Sequence, residues 1–152
     1  MKGVSEFPAL LTHRYGQGKV VYFPEAMGVF VGENRMPSAE MRIGKAIDFL
    51  LAEPIIKVDA PRTVAVDAYR LKGTNRIAVH LVNNTIDGHP VGEFLPVFDI
   101  AFEIRTGVEP KKTFALRENG KIEASYREGW TEVRLPKLSL YEVVVLDLGR
   151  VR

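Results

Sequence analysis

The sequence predicts a mainly β protein: an antiparallel β-sandwich preceded by a short β-hairpin plus helix segment. Three observations carry this expectation. A single stripe of apolar residues at helical spacing occurs early, at Ile43, Ala46, Ile47, Leu50 and Leu51. After Pro54 the apolar period changes to two and keeps that value. No helix-length crossover separates the alternating segments, which argues against a parallel sheet. The expected boundaries are 1–54 for the hairpin–helix segment and 55–152 for the sandwich.

Taken in order, Pro8 to Arg14 carries Leu10, Leu11 and Thr12 and reads as a strand. Tyr15-Gly16-Gln17-Gly18 is a turn, because glycine reaches positive φ without a clash. Lys19 to Pro24 is β-branched and aromatic and completes a hairpin. Glu25 to Pro37 contains glycine and reads as irregular. Ser38 then offers a side-chain cap for a helix with Glu40 in its first turn, Arg42, Lys45 and Asp48 on its polar side, and Pro54 as its stop.

In the second segment Val64, Val66 and Ala68 alternate with Thr63, Asp67 and Tyr69. Ile77, Val79 and Leu81 share one face of Arg76 to Asn83, with His80 on the other. Phe98, Ile100, Phe102 and Ile104 alternate with Asp99, Glu103 and Arg105. Phe114 and Leu116 form a further strand, Asn119-Gly120 signals a hairpin, and Ile122, Ala124 and Tyr126 continue beyond it. Trp130 to Leu135 and Leu138 to Leu148 complete a set of about seven or eight strands. The last is apolar on both faces, so it belongs in the centre of a sheet or under the N-terminal segment.

Composition limits the function classes. The chain has 152 residues, 46% hydrophobic and 26% charged, enough for one ordinary domain or a domain with an appendage. Lysine and arginine number 21 against 19 acids, and the bases are scattered apart from Lys111-Lys112 and Arg150 with Arg152. That is a solvated surface rather than a nucleic-acid stripe. There is no cysteine, so disulfides, thiolate metal sites and thiol nucleophiles are excluded, and a reducing, cytoplasmic setting is expected. The N-terminus lacks the apolar stretch of a signal peptide, and no run approaches a membrane span.

Few residues suggest chemistry. The three histidines, His13, His80 and His89, show no metal-ligand spacing, and His80 reads as a hydrogen-bonded strand residue. No Gly-x-Ser-x-Gly elbow occurs, and Gly16-Gln17-Gly18 does not open a helix. Asp99 and Glu103 are explained by alternation as a solvated face, and Glu109, Glu118 and Glu128 sit near turns. No catalytic residue, metal ligand or cofactor is therefore expected. Trp130, Tyr126, Tyr69, Tyr141 and Phe94 could stack on a sugar ring if exposed on a platform, although core and rim packing is the favoured explanation. Trp130 and Tyr126 are the candidate ligand-binding pair.

Three stretches suggest a family. RYGQGKVVYFPEAMG (Arg14 to Gly28), the helix ending in Ala-Glu-Pro at 52–54, and RIAVHLVNNT (Arg76 to Thr85) resemble the C-terminal part of certain large glycoside-hydrolase-like proteins. In these, a barrel precedes a β-galactosidase-trimerisation-like domain of glutamine-amidotransferase-like α/β fold, and a β-sandwich closes the chain. The resemblance implies that the first segment is a hairpin–helix remnant of the α/β domain and the second the terminal sandwich. The barrel that would hold catalytic acids has no counterpart here, so no catalytic residue carries over. The implied role is a non-catalytic accessory or oligomerisation module. Its expected partner is another copy or a polypeptide carrying the barrel, with carbohydrate as an alternative ligand and no nucleic acid or membrane. A carbohydrate-binding module and an independent glycosidase are the competing readings. A remnant cut from an α/β domain should also leave Ile43, Ile47 and Leu50 without their former neighbours.

Overall fold

A computed structural model of the chain describes residues 8–33, 36–51, 53–85, 94–117 and 122–149. The chain divides into two compact units, Met1–Pro54 and Ile55–Arg152.

The first unit contains β1 (Leu11–Tyr15), β2 (Gly18–Tyr22), α1 (Met27–Gly32) and α2 (Pro37–Leu50). β1 and β2 pair antiparallel around Gly16, whose φ of +57° requires glycine. Lys19 ties the hairpin to α2: its ammonium donates to the carbonyl of Phe49 and lies 4.9 Å from the centre of that ring. Arg42 of α2 reaches the carbonyl of Ala9 and the carboxylate of Glu25.

Three details differ from the sequence reading. α1 occupies part of the stretch read as irregular. α2 starts at Pro37, preceded by Met36, and has no side-chain cap; proline at N1 has its φ preset and no N–H to satisfy, so Ser38 falls inside the helix. The helix ends at Leu50, where Leu51 turns extended, before Pro54 is reached. Among the described residues of this unit only Met27, Ala39 and Ala46 are buried. Ile47 stays 48% exposed and Leu50 39%.

The second unit is a β-sandwich of two four-stranded antiparallel sheets. Its strands are β3 (Ile56–Asp59), β4 (Val64–Arg70), β5 (Arg76–Asn83), β6 (Val97–Arg105), β7 (Lys112–Ala115), β8 (Glu123–Arg127), β9 (Trp130–Leu138) and β10 (Tyr141–Asp147). One sheet runs β4-β5-β10-β7 and the other β3-β6-β9-β8. Alternation drives the closure. Ile77, Val79, Leu81, Val144 and Leu146 face Ile100, Phe102, Ile104, Val133 and Leu135 in one continuous core. β10 lies between β5 and β7, and it buries its other face too, in a smaller cluster of Ala78, Val143 and Val145 under Phe114 and Tyr141.

Polar groups complete the packing. Glu142 is buried, and its Oε1 accepts the N–H groups of Leu116, Arg117 and Val143 at 3.0, 2.9 and 2.8 Å. Asn83 donates through Nδ2 to the carbonyls of Leu95 and Ser139. Thr106 and Thr131 bond to each other in the interior.

Two expectations about this unit need correction. Phe98 is exposed and Val97 is buried in its place. The β6–β9 ladder skips Asp99 and Pro136, between Phe98 opposite Lys137 and Ile100 opposite Leu135: proline offers no ladder donor, Asp99 turns to φ +55°, and the inward set shifts by one residue. Lys112–Ala115 and Glu123–Arg127 also do not pair as a hairpin. β7 joins β10 and β8 joins β9, so the chain crosses between sheets there. Asn119-Gly120 lies outside the described residues.

Candidate ligand-binding surfaces

The sequence-predicted pair, Trp130 and Tyr126, sits on neighbouring strands. Register separates the two. Trp130 is opposite Arg127 and shares the outer face of its sheet, whereas Tyr126 is opposite Thr131, which is buried. Tyr126 donates its hydroxyl to the carbonyl of Gly107 at 3.2 Å. The two rings therefore form no common platform.

Trp130 itself lines an outward concavity of about 540 Å³ with Glu103, Ser125, Arg127 and Glu132. The turn beneath it is a two-residue hairpin loop in which Glu128 and Gly129 both take positive φ, +51° and +88°. Lys57 lies 4.4 Å and Arg105 5.0 Å from the indole ring centre. Lys57 also pairs with Glu103 at 3.0 Å, and Arg134 with Glu132 at 2.6 Å. This outer face is a ladder of charges around one aromatic ring.

The opposite outer face is aromatic and less charged. Tyr69, His80 and Tyr141 make a chain of ring contacts across β4, β5 and β10, at 5.5 Å edge-on and 5.9 Å tilted. His80 Nδ1 and the Tyr141 hydroxyl are hydrogen-bonded at 2.5 Å. His80 is thus held in a side-chain network. His13 is exposed on β1, and His89 lies outside the described residues. Phe94 is exposed beside the start of β6.

Several carboxylates are committed to partners. Glu25, Glu103, Glu132 and Asp147 are in ion pairs, and Glu142 is fixed by backbone donors. The sheet does bring together two acids that sequence spacing could not link: Asp99 of β6 and Glu123 of β8 line a concavity of about 270 Å³ with Arg134 between them on β9. The only advance sign was Pro136, a proline inside a strand, which the β6–β9 ladder skips together with Asp99. Among the described residues no group of three or more His, Asp or Glu is placed to hold a metal ion, and no helix is long and apolar enough to cross a membrane.

A further concavity sits at one end of the β4-β5-β10-β7 sheet, around the Arg76–Asp147 pair. Asp147 accepts the N–H of Gly149 at 2.9 Å and a bond from Arg76 Nε at 2.8 Å. These two contacts, with the nearby charges of Arg76 and Lys111, hold its carboxyl below the usual value of 3.8.

No protein-family model matches the chain, and no curated protein matches its sequence. Among solved structures it is similar to the alpha-L-fucosidase isoenzyme 2 from Paenibacillus thiaminolyticus, with a TM-score of 0.75 over 94% of this chain at 16% sequence identity. The chain spans 22% of that protein's length. The likeness is one of fold, and at 94% of this chain it takes in residues of both units.

Proposed function

We infer that this chain is a non-catalytic accessory module of the glycoside-hydrolase-like kind, acting in the cytoplasm and joined to its own copies through the hairpin–helix unit. The observation that carries this reading is the open apolar side of that unit. The register of β1 and β2 puts Leu11, His13, Tyr15, Val20 and Tyr22 on one face, all exposed, while Lys19 on the other face reaches α2. A hairpin with one face bare and one helix behind it is half of a layered arrangement. A second copy related by a twofold axis would cover that face with an identical one. The commitment of Glu25, Glu103, Glu132 and Asp147 to ion pairs and of Glu142 to backbone donors supports the non-catalytic part.

Light scattering of the purified chain tests the association. The expected mass is a multiple of 17.0 kDa at micromolar concentration, falling to the monomer when Val20 and Tyr22 are both replaced by Glu. A wild-type monomer would remove self-association and leave a barrel-carrying polypeptide as the partner. A panel of chromogenic glycosides, fucosides included, tests the absence of catalysis. Turnover that disappears on Asp99→Asn or Glu123→Gln would overturn the reading.

A further inference from the structure

The turn between β4 and β5, the start of β7 and the end of β10 enclose a concavity of about 710 Å³. Its chemistry comes from Thr74, Asn75, Arg76, Lys111, Lys112 and Asp147. The walls are tied by backbone bonds across the strands: Leu148 N–H donates to the carbonyl of Asn75 at 2.9 Å, and Lys111 N–H to that of Asp147 at 2.7 Å. The site is therefore a built feature of the sheet end.

Three cations face one carboxylate. Arg76 and Asp147 satisfy each other, with Arg76 Nε and Nη2 each 2.8 Å from Oδ2, and Gly149 N–H takes Oδ1. Lys111 and Lys112 then remain as a balance of two positive charges. Both are held against the wall. Gly149 has φ +86°, and a Cβ there would lie 2.9 Å from Lys111 Nζ and closer still to its carbons, so the Lys111 side chain lies across a bare Cα. Lys112 Nζ sits 4.9 Å from the centre of the Phe114 ring.

We propose that this concavity binds the anionic group of an acidic carbohydrate, a uronate or a sugar sulfate, with Lys111 and Lys112 on the charge and Thr74 and Asn75 on adjacent hydroxyls. Ammonium groups bind carboxylate and sulfate as point charges, and the hydroxyl and amide beside them match the polar rim of a sugar. The volume suits a small ligand. A nucleic acid would need a long basic track, which a formal net charge of +2 with scattered bases does not supply. The site lies wholly in the sandwich and stands whether or not the hairpin–helix unit self-associates.

Affinity electrophoresis of the full chain in gels containing polygalacturonate, dextran sulfate or neutral dextran tests this. Retardation by at least one anionic polymer and none by neutral dextran is expected. The double variant Lys111→Glu, Lys112→Glu should weaken it by about tenfold or more, with an unchanged thermal melt. Gly149→Ala should weaken it less, by displacing Lys111. Lys137→Glu, on the other sheet, serves as the charge control. No retardation, equal retardation by neutral dextran, or equal loss in the Lys137 control would overturn the proposal. So would retention by a DNA oligonucleotide alone.

Discussion

Tyr22 and Phe102 are both strand aromatics, yet Tyr22 is 57% exposed and Phe102 1%. β propensity does not separate them. What separates them is the number of layers. Phe102 points from one sheet of the sandwich into another, whereas Tyr22 lies on the hairpin face opposite the one from which Lys19 reaches α2. Apolar pattern in a strand specifies a face that wants cover, and among the described residues that cover is present in the sandwich and missing from the outer face of the hairpin. The sandwich is closed by its own residues. The hairpin–helix unit buries little beyond Met27, Ala39 and Ala46.

The largest expected effect breaks or confirms this contrast directly. Phe102→Ala should destabilise the sandwich by about 4 kcal/mol, because it empties a close-packed site between the sheets. Tyr22→Ala, measured under conditions where the chain is monomeric, should change stability by less than about 1 kcal/mol, since the ring has no buried neighbours to lose. Urea unfolding followed by Trp130 fluorescence measures both. Equal losses would mean that the face of Tyr22 is covered within the monomer.

A smaller effect concerns Glu142, the one buried carboxylate among the described residues of the closed unit. Glu142→Ala leaves three backbone N–H groups without their acceptor and should cost about 3 kcal/mol in the same assay. Glu142→Gln keeps an acceptor oxygen and should lose roughly half as much. If alanine were no worse than glutamine, the donors would have found other acceptors, and β10 would depend on packing alone.

The sandwich was legible in the sequence because burial on one face leaves a period of two, and β10, apolar on both faces, allowed a central place or one under the N-terminal segment, of which the sheet order shows the first. Other features were hidden by their non-local causes. Asn119-Gly120 predicted a hairpin, but which strands pair is decided by sheet-to-sheet closure, and β7 and β8 went to different sheets. Phe98 and Val97 exchanged places where the β6–β9 ladder skips Asp99 and Pro136, residues on two different strands. Trp130 and Tyr126 are four apart, which would be one face of a continuous strand. The turn at Glu128-Gly129 reverses the chain between them and makes the pairing register decide their faces. The concavity at Arg76, Lys111 and Asp147 joins three strands, so only the Lys111-Lys112 doublet could hint at it.

The smallest expected effect lies at that sheet end. Asp147 titrates below the ordinary carboxylate value when folded, through the Gly149 N–H, the Arg76 bond and the Lys111 charge. The unfolded chain therefore binds its proton first as pH falls. The stabilisation from this group is complete above the unfolded value of 3.8 and disappears as pH drops through the lower folded value. Asp147→Asn removes the contribution at every pH. The urea midpoints of wild type and variant should differ by a constant amount above about pH 5 and converge in more acid solution. The carboxylate is solvent-accessible, so the separation should be modest and should shrink with added salt. Midpoints that stayed parallel down to acid pH would mean that the side chain acts through packing and neutral hydrogen bonds, and that the positive field assigned to this end of the sandwich is screened away.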